Sequence, residues 1–245
     1  MDIQNAWNVA LKDFKIYTKK TSVIYATVAM PFITGIAFPL IVNYSLHRSA
    51  NGLTDAAAPG LMDSFSLWFL VGAAVIPTAI ASYSLVGEKI QKSLEPMLAT
   101  PMADEDILLG KTLAALLVPV AALYTGSIFF MVLMDYFTRG ALGYYYYPNW
   151  HIGAILLAAP FAALLSVEVN VIISSRFTDV RSAQQSGSLL MLPFIGLFLA
   201  SELGFFALNN TNLVILAGVL AAISVAMFFV AKATFRREEI LTRWR

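Results

Sequence analysis

The chain has 245 residues, 59% of them hydrophobic and only 13% charged, with a mean hydropathy of +0.73. A soluble domain carries about 25% charged residues, so a water-facing globular domain is excluded and an integral membrane protein is expected. Sixteen Lys and Arg against fifteen Asp and Glu leave a net charge of +1, and the lack of cysteine excludes disulfides and thiol chemistry.

In chain order, residues 3–17 set Ile3, Ala6, Trp7, Ala10, Leu11, Phe14 and Tyr17 on one helical face, with Lys12, Asp13, Lys15 and Lys19 largely on the other. That spacing predicts an amphipathic helix over 1–20 lying in the membrane interface, with Trp7 and the lysines at headgroup depth. A soluble helix packed on protein is the alternative. The first apolar run starts after Lys19 and Lys20 and is too long for a cleavable signal peptide. Membrane spans are expected over 21–46, 64–86, 107–134, 151–173, 183–201 and 213–231, each near the ~20 residues that cross a bilayer. Residues 1–245 then form a single transmembrane domain, with no room for a separate soluble one.

Polar stretches separate the spans. Residues 47–63 hold His47, Arg48, Asn51, Asp55 and Asp63, and a later loop holds Asp135, Arg139 and the aromatic run Tyr144 to Tyr147 followed by Trp150. Placing the N-terminus, residues 87–111, the 174–182 turn and the C-terminal tail on one side gathers 14 of the 16 basic residues there, leaving Arg48 and Arg139 opposite. The positive-inside rule makes the crowded side, and both termini, cytosolic. The aromatic run then falls at the outer interface and reads as an anchor. Pro31, Pro39, Pro77, Pro119, Pro160 and Pro193 lie in the first five spans. They fit a moving core, or simply the greater abundance of proline in membrane helices. No internal repeat or low-complexity tract is present.

The most informative stretch is residues 87–111, GEKIQKSLEPMLATPMADEDILLGK, between the second and third spans. Its charges cannot sit in hydrocarbon, so it lies in water or against another protein. Gly87, Glu88, Lys89, Ser93, Leu94, Glu95, Leu98, Ala99, Thr100 and Pro101, followed by Ile107, Leu108, Gly110 and Lys111, resemble the permease subunits of ABC exporters of the type-2 family. The N-terminal amphipathic helix, six spans, overall length and the closing FRREEILTRW are similar to that family as well. Pro96 and Met97 depart from its usual pattern and would alter the contact surface.

The resemblance implies an all-α polytopic membrane protein: an N-terminal interfacial helix, six transmembrane helices, and a cytosolic coupling helix between spans two and three. It implies that the segment 88–101 rests in a groove of an ATP-binding subunit. Glu88, Lys89, Lys92, Leu94, Glu95, Met97, Leu98 and Thr100 are the candidate contacts. Apolar knobs at Leu94, Met97 and Leu98 within a charged rim suit a helix-in-groove contact. Asp104, Glu105 and Asp106 then open the third span at the positive end of its dipole.

Gly110-Lys111-Thr112 looks like the end of a phosphate-binding loop. The required earlier glycine is replaced by Glu105, however, and no strand precedes it. The chain is therefore expected to be no enzyme and to hold no cofactor, with ATP and Mg in a partner. His47 and His151 are the only histidines and lie far apart, and no HExxH or GxSxG occurs.

Polar residues inside the spans are candidates for a transport path: Asn43, Glu168, Asn170 and Glu202. Glu168 is read either as paired with Arg176 or Arg181 or as touching substrate. Glu202 follows the fifth span, where the resembled family folds a re-entrant helical pair. The expected partners are two ABC ATP-binding subunits, a second copy or a related permease, and the lipid of the plasma membrane, with no nucleic acid. An ion-driven secondary transporter and a non-transporting membrane assembly factor are the rival readings.

Overall fold

A computed structural model describes residues 2–19, 21–48, 57–93, 102–203, 205 and 209–234. Among these the regular structure is entirely helical. The helices are α1 (Ile3–Lys19), α2 (Thr21–Arg48), α3 (Ala58–Ser66), α4 (Trp68–Ala81), α5 (Tyr83–Ile90), α6 (Asp104–Leu142), α7 (Trp150–Arg176), α8 (Val180–Ser188), α9 (Met191–Glu202) and α10 (Asn210–Thr234). Six stretches are long and apolar enough to cross a membrane: Val23–His47, Ala58–Ile90, Asp104–Leu142, Trp150–Arg176, Val180–Glu202 and Asn210–Thr234.

The helices run further than the apolar runs predict. Helix α6 has 39 residues, about 58 Å at 1.5 Å per residue. It carries Asp135 and Arg139, expected in a loop, inside its last turns. It stops at Gly143, whose positive φ of 75° lets its N–H reach the Arg139 carbonyl at 2.9 Å.

Helices α4 and α7 form the buried centre, with α10 and α6 packed around α7 and α2 lying along α6. Ala154, Ala158, Ala159, Ala162 and Ala163 give α7 small buried faces that bring neighbouring backbones close. The α2–α6 contact is closer still: a Cβ on Gly126 would stand 2.7 Å from the Pro31 carbonyl oxygen.

The side opposite the basic end is tied by the aromatic run. Asp135 accepts the Tyr146 and Tyr147 backbone N–H groups at 3.0 Å each. Tyr146 donates to Asp63 Oδ2 at 2.8 Å and Tyr147 to the Met62 carbonyl at 2.9 Å. Burial first, then the nearby Asp63 charge, holds the Tyr147 phenol well above its ordinary pKa. Tyr144, Tyr145 and Trp150 stay exposed, so only part of the run is free to act as an interfacial anchor; Tyr147 is core.

Candidate functional site

The polar stretch after the second span begins inside the bundle. Helix α5 carries Gly87, Glu88 and Lys89 and ends in a Schellman turn. Lys92 adopts φ 54°, its N–H bonds the Lys89 carbonyl at 3.1 Å, and the Ser93 N–H bonds the Glu88 carbonyl at 3.0 Å. The chain is thus turned off the helix axis at a defined residue, and the Lys92 side chain is exposed. Leu94, Glu95, Met97, Leu98 and Thr100 lie outside the described residues.

Glu88 and Lys89 point inward, each 5% exposed. Glu88 Oε1 meets Lys12 Nζ at 2.9 Å and its Oε2 meets Lys111 Nζ at 3.1 Å. Lys111, with no exposed side-chain area, also meets Asp13 Oδ2 at 3.2 Å and donates to the Ser84 carbonyl at 3.1 Å. One buried ammonium and two buried carboxylates, with the exposed Lys12 ammonium supplying the second positive charge at the edge, form one cluster that joins α1, α5 and α6. Burial pushes the Asp13 carboxyl above its ordinary pKa, with the Lys111 ammonium pulling the other way.

Lys89 does different work. It donates to the Ser175 and Phe177 carbonyls at 2.8 and 3.0 Å, so its charge sits on the negative end of α7. The expected groove-contact role of Glu88 and Lys89 thus meets a competing fact: both are already engaged within the chain.

The glycine before Lys111 has a steric purpose here. A Cβ on Gly110 would stand 2.5 Å from the Ala6 carbonyl oxygen, so α1 seats on α6 only because that position is bare. Helix α1 is consequently two-faced. Ala6, Val9, Ala10, Asp13 and Tyr17 are buried, whereas Ile3, Trp7, Leu11 and Phe14 remain exposed. The broad apolar stripe in the sequence is two stripes, one for protein and one left for lipid. Asp13 is on the protein side, against the expectation that it shares the solvent face with Lys15 and Lys19.

The candidate path residues do not converge. Asn170 is fully buried at the α4–α5–α7 seam. It accepts from Ser82 Oγ at 2.9 Å and donates to Thr78 Oγ1 at 3.3 Å and the Ser166 carbonyl at 2.8 Å. One turn earlier Ser166 donates to the Ala74 carbonyl at 2.6 Å, close to where Pro77 interrupts the helical ladder. One turn later Ser174 bonds the Ser82 carbonyl and the Leu85 and Val86 N–H groups at 3.0 to 3.1 Å. Ser166, Asn170 and Ser174 thus form a polar zipper across the break between α4 and α5.

Glu168 is 1% exposed, and neither carboxylate oxygen has a hydrogen-bond partner among the described residues. The expected pairing with Arg176 or Arg181 is not formed; Arg176 lies about 12 Å further along the same helix. Glu202 is exposed at the end of α9. It lines a cavity of about 500 Å³ with Asp63, His151, Ser201, Asn209 and Asn210. Asn43 is half-buried on α2 and does not line this cavity. No group of three or more His, Cys, Asp or Glu residues suited to a metal occurs among the described residues.

Among the described residues, six stretches of membrane-spanning length, with an N-terminal helix seated beside them and a charged break welded into one end, define a multi-pass membrane protein. Residues 7–239 match the ABC-2 family transporter proteins, and the chain belongs to that family. It is also similar to "ABC transporter permease protein NatB" of Bacillus subtilis (strain 168), with 26% identity over 188 residues, 65% of this chain and 49% of the relative. The chain therefore spans about half the length of that curated relative.

Proposed function

We propose that the chain is the permease subunit of an ATP-driven ABC exporter. It works in the plasma membrane as a pair, with a second copy or a related permease, and both termini lie in the cytosol. Two separate ATP-binding subunits, which hold the ATP and Mg, dock on the segment 88–101 and drive alternating access of a path between the permeases. Lys92, Leu94, Glu95, Met97, Leu98 and Thr100 make the contact, while Glu88 and Lys89 fasten it to the bundle.

One observation carries this reading: Asp13, Glu88 and Lys111 are buried together, with the exposed Lys12 closing the cluster from outside. A solvated loop would have no reason to root its first residues in a charge-balanced interior. A segment that receives force does, because a push on it reaches α1, α6 and, through Lys89, α7 together. The dense match of residues 87–111 to the family's motif supports the same assignment.

Reconstitution with an ATP-binding subunit tests it. Glu95→Arg is expected to abolish vanadate-sensitive transport while leaving membrane insertion intact. Unchanged transport, or labelling of Lys92 only from outside the cell, would overturn the reading.

A further inference from the structure

The two faces of α7 are held in opposite ways. Ser166, Asn170 and Ser174 lock one face to α4 and α5. Glu168, two residues from Asn170, lies about 200° around the helix from it. It follows Phe161 by seven residues, two turns along the same face. That face meets α10, where Ser224 Oγ donates to the Phe161 carbonyl at 2.9 Å. Further along, Val167 and Val171 of α7 share an apolar cluster with Ala231 and Phe228 of α10. A carboxyl group is therefore enclosed in a hydrocarbon contact inside a membrane-spanning helix.

We infer that Glu168 is a proton-binding site, its carboxyl protonated while α7 and α10 are packed together and ionised when the two helices part.

Among the described residues, the charged groups on the surrounding elements are engaged elsewhere or form no ion pair with Glu168. Helix α10 offers Lys232, which pairs with Glu105 of α6 at 2.7 Å. From α6, Lys111 is held by Asp13 and Glu88, Asp106 accepts the Asp2 N–H at 2.8 Å, and Asp104 has its own contacts. From α5, Glu88 and Lys89 are committed as described above, and Tyr83 accepts from Gln91 at 2.8 Å. Helix α4 carries no charge, while Arg181 of α8 and Arg176 and His151 of α7 form no ion pair with Glu168 among the described residues.

An ionised carboxylate left without partner or water is among the costliest groups a membrane helix can carry, so the packed arrangement holds the neutral acid. When α10 moves away and water enters, the O–H bond breaks, the proton passes to water, and the carboxylate is hydrated. Because the packed form binds the proton and the parted form does not, acid favours the packed form and rising pH the parted one. The protonation stands on the geometry alone; its use in a transport cycle rests on the proposed permease function.

Infrared spectroscopy of the full chain in lipid membranes, recorded for the wild type and Glu168→Gln, decides the matter. The difference between the two is expected to contain the carbonyl stretch of an un-ionised acid at neutral pH, and that band should fade as pH is raised. With an ATP-binding subunit bound, the wild type's ATPase should vary with pH over the same range, and the Gln variant should lose that variation. A difference spectrum showing only carboxylate, or an acid band unchanged across the titration, overturns the inference. Failure of the ATP-binding subunit to associate would instead strike at the proposed function, leaving the infrared titration to stand by itself.

Discussion

The two ends of the bundle are tied by different chemistry. At the basic end the buried Asp13, Glu88 and Lys111, with the exposed Lys12 at their edge, form a set of ion pairs across three helices. At the opposite end the ties are tyrosine hydroxyls and backbone N–H groups bonded to Asp63, Asp135 and the Met62 carbonyl. Full charges buried together tolerate little separation, since parting them strands each one in a medium that cannot solvate it. The ties at the opposite end are hydrogen bonds, worth about 0.5–1.5 kcal/mol net between neutral groups and about 1.5–3 kcal/mol to a carboxylate. Helices α1, α5 and α6 are therefore held as one body at the basic end.

Breaking the stiffer end should cost most. Lys111→Met leaves Asp13 and Glu88 facing each other without their shared cation, and a loss of about 3–5 kcal/mol is expected in denaturant unfolding of the lipid-reconstituted or detergent-solubilised chain. Adding Asp13→Asn and Glu88→Gln should recover much of it. A loss below 1 kcal/mol for Lys111→Met, taken on the about-1 kcal/mol scale of an ordinary hydrogen bond, would show that the cluster is not what rigidifies this end.

A milder effect is expected opposite. Tyr147→Phe removes one hydroxyl bond to the Met62 carbonyl and should cost about 0.5–1.5 kcal/mol by the same measurement. Equal losses from Lys111→Met and Tyr147→Phe would erase the contrast.

The smallest effect separates exposed from buried charge at the basic end. Asp179 caps α8 by accepting from the Ser182 N–H and hydroxyl at 2.9 and 3.0 Å, and these bonds hold its carboxyl below the ordinary 3.8. A lowered folded-state pKa means the cap stabilises α8 above that ordinary value and is lost as pH falls through the folded one. Amide exchange of Ala183 should therefore quicken in strong acid in the wild type. In Asp179→Asn, whose side chain does not titrate, no such step is expected.

Hydropathy was enough to read six membrane helices, because twenty apolar residues in a row have few other uses. The motif at 87–111 contains Glu88, Lys89, Gly110 and Lys111, which the structure buries in the bundle. Which way its side chains face was not legible. Periodicity groups Ala6 and Tyr17 with Ile3 and Trp7, and cannot tell a stripe that meets protein from one that meets lipid. Asp13 therefore looked solvated until Lys111, 98 residues away, was found beside it. Asn170 and Glu168 look alike in sequence, as polar residues near one end of a span. Only the helix rotation distinguishes a zipper residue from a solitary acid. Helix α6 extends past the expected span 107–134 because Asp135 and Arg139 interrupt the apolar run without interrupting the helix.

That length has a mechanical meaning. A rod of 39 residues, about 58 Å at 1.5 Å per residue, exceeds the ~30 Å hydrocarbon of a bilayer, and it meets different neighbours toward its two tips, α1 and α5 through Lys111 and the tyrosine loop through Asp135. Tilting such a rod at the first tip displaces the second without any intervening contact having to relay the movement. Pro119, lying partway along, marks where the rod would bend if the two tips were ever asked to move independently.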